Sequence, residues 1–368
     1  MASLSGCATL PTSGPTGKQI EKAALASSAD FPIKLVAIKT AGDVPQAPSD
    51  IPTVPLPDSV PPPTDQLGPG DVIEISIYEA GVTLFASSGS TGPAGQTALN
   101  PGVQVQKLPP SRIDDNGYIV VPYAGKLKVG GKTIGAAERL IRDSMRGMSQ
   151  NPQVVVTLNQ IITNSIIVGG EVAKPGRLIL QTNRETLSDV VALAGGYRGN
   201  SRDLVLRVTR RSQIMDIRLN DLVENPQLDV RAYPGDRLTL ISSPRSFSVL
   251  GASGRTEQIP FTNSRISVAE AMAAAGGANP ALADPAAVFL FRYVTDADGK
   301  ETPVVYHLNM MNTGTYFLAQ RFAMRDKDVL YFGNAAANQP SKLLSLISQL
   351  FTPLVTVTAA VQTIQSTR

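Results

Sequence analysis

Ile166-Ile-Val-Gly-Gly-Glu-Val172 returns 81 positions later as Phe247-Ser-Val-Leu-Gly-Ala252, and that recurrence decides the fold. The same shift lays Val168 on Val249, Gly170 on Gly251, Leu187 on Val268, and Ala194-Gly195-Gly196 on Ala275-Gly276-Gly277. Self-similarity at a fixed offset marks a duplicated supersecondary unit. Each copy predicts a glycine-bearing strand (166–172; 247–252), a second strand (177–180; 258–261) and a short helix. Both helices open on a capping box, Thr186-x-x-Asp189 in Asp form and Ser267-x-x-Glu270. Both end at a Gly-Gly pair suited to the left-handed C-cap. Further strands are predicted at 204–208, 215–219 and 237–241, then at 287–294, 304–308 and 328–332. The copies, 161–243 and 244–338, therefore read as small α+β units in which a sheet grips one helix. Pro175-Gly176 has no counterpart in the second copy, so the turn there must be built differently.

Upstream, Leu67-Gly-Pro-Gly-Asp-Val-Ile-Glu-Ile-Ser-Ile-Tyr78 is a turn followed by a period-two strand, and it opens a domain at 67–160. An insertion at 86–102 is rich in Ser, Gly and Thr. Asp115-Asn116-Gly117 signals a hairpin, with strands at 118–123 and 126–129. Ile134, Ala137, Leu140, Ile141 and Met145 share one stripe of a helix predicted over 133–148, and a strand returns at 154–158. Residues 1–66 read mostly as a linker, because Pro45, Pro48, Pro52, Pro55, Pro57 and Pro61-Pro62-Pro63 favour extended polyproline II. One run there, 31–38, has enough β-formers to add a strand to another sheet.

The tail, 339–368, has a different chemistry. Residues 343–367 carry no charge and as a helix would span about 38 Å, enough for a hydrocarbon core of roughly 30 Å. Leu343, Ile347, Leu350, Leu354, Val357 and Val361 form an apolar stripe, while Ser345, Ser348, Gln349, Thr352, Thr356 and Thr363 line the opposite face. A lone copy would turn hydroxyls and amides toward lipid. A ring of copies resolves this, with apolar stripes outward and polar stripes around a water-filled pore. Helix packing on the chain's own domain is the other reading of the pattern.

Composition narrows the chemistry. One histidine and one cysteine in 368 residues give no disulfide framework and no metal site of several imidazoles or thiolates; no cofactor is expected. A net charge of +3 is too small for a dedicated nucleic-acid binder. The single cysteine sits in Leu4-Ser5-Gly6-Cys7, the small-residue context of a bacterial lipoprotein processing site. Only six residues precede it, without a basic or apolar leader region, so the expectation is a lost start or a chance match. Gly130-Gly131-Lys132-Thr133 resembles the end of a phosphate loop, but Lys126 stands where that loop needs glycine. Asp296-Ala-Asp-Gly299 reads as a turn rather than a calcium loop, since its glycine comes too early. His307, aligned with Arg218 of the first copy, is expected at the surface. Arg198, Arg202, Arg207, Arg210 and Arg211 are expected on a solvated sheet face, with attraction of acidic sugars as the sharper alternative.

Taken in order, Cys7, the Leu67-Gly-Pro-Gly-Asp71 domain through Asn151-Pro-Gln-Val-Val-Val156, the two repeats and the amphipathic tail resemble the outer-membrane polysaccharide export family. The resemblance implies a non-enzymatic channel carrying capsular or exopolysaccharide from periplasm to cell surface. It implies a ring of about eight protomers, a transmembrane α-helical barrel built from the tails, and lipid at Cys7. The implied setting is the Gram-negative outer membrane, with a large periplasmic portion, the C-terminus at the surface and an inner-membrane copolymerase or export machinery as partner. The competing reading is a monomeric periplasmic or surface carbohydrate-binding protein.

Overall fold

The computed structural model describes residues 14–26, 32–47, 56–79, 104–148, 152–295 and 299–335. The chain forms a mixed α+β fold of two compact units, Ser49–Ser243, and Met1–Pro48 together with Pro244–Arg368.

In the first unit, the strand Val72–Glu79 alternates as its sequence requires, sending Ile73, Ile75 and Ile77 into a core. It pairs antiparallel with Gln153–Gln160, setting Ile75 beside Val156 and Ile77 beside Val154. The helix Ile134–Ser144, capped by Thr133, adds Ala137 and Ile141, with Met145 just beyond it, and ends four residues short of its predicted stop at 148. Asp114 shapes the Asn116-Gly117 turn by accepting from the Asn116 and Tyr118 amides at 3.0 and 2.8 Å. The hairpin beyond it pairs Tyr118–Val121 with Gly125–Lys128.

The first repeat is a sheet ordered Gln213–Arg218, Leu204–Arg210, Arg237–Ser242, Ser165–Gly170, Gly176–Ile179. The helix Leu187–Leu193 buries Leu187, Val190 and Val191 against it. The second repeat, in the other unit, keeps the order with Glu301–Leu308, Ala283–Thr295, Val329–Asn334, Ser246–Gly251 and Gln258–Pro260, over the helix Val268–Ala274. Its first strand and its helix lie 81 residues after their counterparts, as the sequence predicts. Gly170 (φ +80°) and Gly251 (φ +85°) explain the strict glycine: a Cβ would collide with the carbonyl of Leu240 in one copy and of Phe332 in the other. Both capping boxes form, with Thr186 N donating to Asp189 at 3.0 Å and Ser267 N to Glu270 at 2.7 Å. Both Gly-Gly pairs have positive φ.

The N-terminal region is more than a linker. Lys34–Ala37 pairs parallel with Glu301–Leu308 and adds a sixth strand to the second repeat, as the β-forming run predicts. A helix that the sequence does not announce, Gly17–Leu25, buries Ala24 and lays Ile20 on the sheet's outer face beside Ala287, Phe289, Val305 and Tyr331. Thr16 forms a parallel bridge with Asn334, whose amide donates to the Gly14 carbonyl at 2.8 Å, and Tyr331 Oη donates to the Pro15 carbonyl at 2.9 Å.

Candidate functional site

Three aspartates stand at the same kind of turn. Asp71, Asp236 and Asp328 are each 1% exposed and accept from the amide three residues earlier: Gly68 N at 2.9 Å, Tyr233 N at 2.8 Å and Arg325 N at 2.7 Å. The residue before each aspartate has positive φ: Gly70, Gly235 and Lys327. A buried carboxylate must be compensated. Asp71 takes the Ile162 and Thr163 amides at 2.7 and 2.9 Å. Asp236 is gripped by the Arg210 guanidinium, with Nε at 3.0 Å from Oδ1 and Nη2 at 2.8 Å from Oδ2. Asp328 is gripped by Arg292, with Nε at 2.9 Å and Nη2 at 2.6 Å. All three carboxylates hold turns, and two of them also hold an arginine.

Arg210 corrects the expectation of a solvated arginine face. It follows Leu204, Leu206 and Val208 in the inward period of its strand and is itself buried. Arg198, Arg207 and Arg211 do stay exposed, and Arg202 is half-buried. Arg207 chelates the cross-strand Asp216 at 2.8 and 2.7 Å. This guanidinium hydrogen bond holds the Asp216 carboxyl below its ordinary range. Arg198 donates to the Ala173 carbonyl at 3.1 Å, and Arg202 lies 3.7 Å from Asp203.

His307 corrects a second expectation. It is only partly exposed, stacks on Phe289 with ring centroids 4.7 Å apart, and sets Nε2 2.7 Å from the Ala286 carbonyl and Nδ1 3.3 Å from Glu21 of the helix Gly17–Leu25. Ladder register also changes its counterpart. Leu206 faces Ile217 in the first copy and Val288 faces Leu308 in the second, so His307 corresponds to Asp216 rather than Arg218.

Beside Arg210 lies a cavity of about 370 Å³, walled by Pro57, Arg211, Gln213 and Tyr233. Pro57 and Ser59 form part of its edge, on a segment pinned to the repeat: Leu56 is buried, the Pro57 carbonyl accepts from Arg210 Nη1 at 3.0 Å, and Asp58 pairs with Arg231 at 3.2 Å. The Arg231 amide and side chain hold the Asp58 carboxyl below its ordinary range. The phosphate-loop lookalike is a plain turn, with Gly131 N donating to Leu67 O and Gly130 N to Gly117 O, both at 2.8 Å.

Cys7, the tail residues of both helix faces, the insertion at 86–102 and residues 296–298 lie outside the described residues. Among the described residues, no helix is long and apolar enough to cross a membrane.

A family model for polysaccharide biosynthesis/export proteins matches residues 59–159, and models of the SLBB domain match 166–216 and 245–332. The chain is 32% identical to the capsule polysaccharide export protein BexD of Haemophilus influenzae, over 98% of this chain and 96% of that protein. It is also 32% identical to the capsule polysaccharide export outer membrane protein CtrA of Neisseria meningitidis serogroup B, over 93% and 90%. To the Vi polysaccharide export protein VexA/TviF of Salmonella typhi it is 30% identical over 78% of each.

Proposed function

The chain belongs to the polysaccharide biosynthesis/export family, and on that premise we propose that it is an outer-membrane channel exporting a capsular or extracellular polysaccharide. The observation that carries this is the end-to-end likeness to a capsule polysaccharide export protein, which covers nearly all of both chains. The duplicated units are the periplasmic body in this reading, and the polymer crosses without any bond made or broken. Residues 343–363 supply the membrane passage: Leu343, Ile347, Leu350, Leu354, Val357 and Val361 meet lipid, and Ser345, Ser348, Gln349, Thr352, Thr356 and Thr363 line water. A neutral polar lining suits a long hydrated polymer, because strong point charges would hold it at each step. Such a lining needs several copies, so the working form is a ring of about eight, joined to an inner-membrane copolymerase or export machinery that supplies the energy. Lipid on Cys7 anchors the ring; each buried methylene contributes about 0.8 kcal/mol.

Removing residues 339–368 tests the reading. Surface polysaccharide should be lost while hydrogen exchange over 152–295 stays as in the full chain. A full chain that is monomeric and soluble without detergent, or export that survives the deletion, would sink the channel.

A further inference from the structure

We propose that the cavity beside Arg210 is a weak subsite for one anionic saccharide unit, bearing a carboxylate or a phosphate. The inference rests on the export reading only for the choice of a saccharide as ligand. The anion preference comes from the hairpin that forms the cavity mouth. Leu204–Arg210 and Gln213–Arg218 are joined by Arg211 and Ser212 alone, since Arg210 and Gln213 are paired. Arg211 takes φ +54° at the first position of this two-residue turn, where Gly, Asn or Asp ordinarily stands. A long side chain is strained there, and strain at an exposed position is a marker of use. Arg211 makes no hydrogen bond or ion pair with the described residues, and it lines the cavity. The charge beneath it is already balanced: Arg210 is neutralised by Asp236 and stacks 5.5 Å from the Tyr233 ring. Among the described residues, Arg211 is therefore the one lining cation without a charged partner.

The remaining walls suit a sugar. Tyr233 presents an aromatic ring, the surface that sugar C–H faces pack on. Gln213, Ser212 and Ser59 add an amide and two hydroxyls able to give or take hydrogen bonds. The volume, about 370 Å³, lies at the small end of ligand clefts, which run roughly 300–1,000 Å³. The second repeat does not repeat this wall: Arg325 stands at the position of Tyr233 in its turn and donates to the Gln46 carbonyl at 3.4 Å. The site belongs to the first copy.

Saturation-transfer NMR on the full chain in detergent tests the assignment, with glucuronate, glucose 1-phosphate and glucose as probes. The anionic probes should exceed glucose by about fivefold, the worth of one charge-assisted contact at an exposed site. Response to glucuronate alone assigns a carboxylate, and response to glucose 1-phosphate alone assigns a phosphate; either supports the subsite. Arg211→Gln should remove the excess. Arg211→Asn should remove it as well while raising the melting temperature, because Asn tolerates the left-handed turn; that variant separates lost binding from lost folding. Equal signals from all three probes, or an excess that survives both substitutions, overturn the subsite. The two readings fail separately. Loss of surface polymer on tail deletion with no anion preference leaves export standing without the subsite. An Arg211-dependent preference in a chain whose tail deletion leaves export intact does the reverse.

Discussion

The two repeats place different chemistry at one position of the same ladder. In the first, Arg207 and Asp216 form a two-pronged ion pair in water; in the second, the equivalent Phe289 and His307 stack beneath the helix Gly17–Leu25. On the next strand, Thr239 of the first copy becomes Tyr331 of the second. Three features that shape the backbone are nevertheless common to both: the glycine at Gly170 and Gly251, the capping boxes and the buried Arg–Asp pair. The comparison separates two kinds of instruction. Inward residues and turns specify the unit, whereas outward residues decide whether it stays wet or receives another layer.

The shared part is the more costly to break. Asp236→Ala and Asp328→Ala each strand a buried guanidinium and should lower stability by about 3–5 kcal/mol in urea unfolding. Similar losses in both copies would support a common role, and a harmless change in either would break the equivalence. Gly170→Ala and Gly251→Ala drive a Cβ into a backbone carbonyl and should cost about 2–4 kcal/mol by the same measurement. Effects on the outer faces should differ between copies. Ile20→Ala should weaken helix docking by about 2 kcal/mol, raising hydrogen exchange over Gly17–Leu25 and the second repeat's sheet and leaving the first repeat unchanged.

The smallest effects are set by pH, and their signs are opposite. Asp216 has its carboxyl lowered by Arg207, so its contribution is present above the ordinary value of 3.8 and is lost as pH falls through the folded value. Burial pushes the Tyr331 phenol up, so its contribution is present below 10.0 and is lost as pH rises through its folded value. Hydrogen exchange resolved by peptide should therefore show Gln213–Arg218 of the first repeat loosening in acid and Val329–Asn334 of the second loosening in alkali. Arg207→Ala should erase the acid response alone.

The strands of both copies were legible because apolar residues alternate along them, and the helices because Thr186 and Ser267 each stand three residues before a carboxylate. The sequence shift works only where loops match. It is 81 between Gly170 and Gly251, 91 between Asp216 and His307 and 92 between Asp236 and Asp328, so matching the predicted strands end to end places His307 two residues off, on Arg218. Arg210 was hidden among other arginines, although its place in the Leu204, Leu206, Val208 period pointed inward. The helix Gly17–Leu25 is short and carries only Ile20 and Ala24 as buried large or methyl-bearing contacts, too few for a periodic signal. Its available cue was the capping box of Thr16 and Gln19, where Thr16 N donates to Gln19 Oε1 at 2.8 Å. The cavity beside Arg210 was not legible, because residues 56–59 reach it across more than 150 positions of chain.

The bridge between Thr16 and Asn334 makes the chain mechanically a loop with one knot. A load applied to the chain before Gly14 and a load applied after residue 335 both meet the contacts of Gly14, Pro15 and Thr16 with Tyr331 and Asn334. The two ends of the described chain thus share one pivot on the second repeat's sheet.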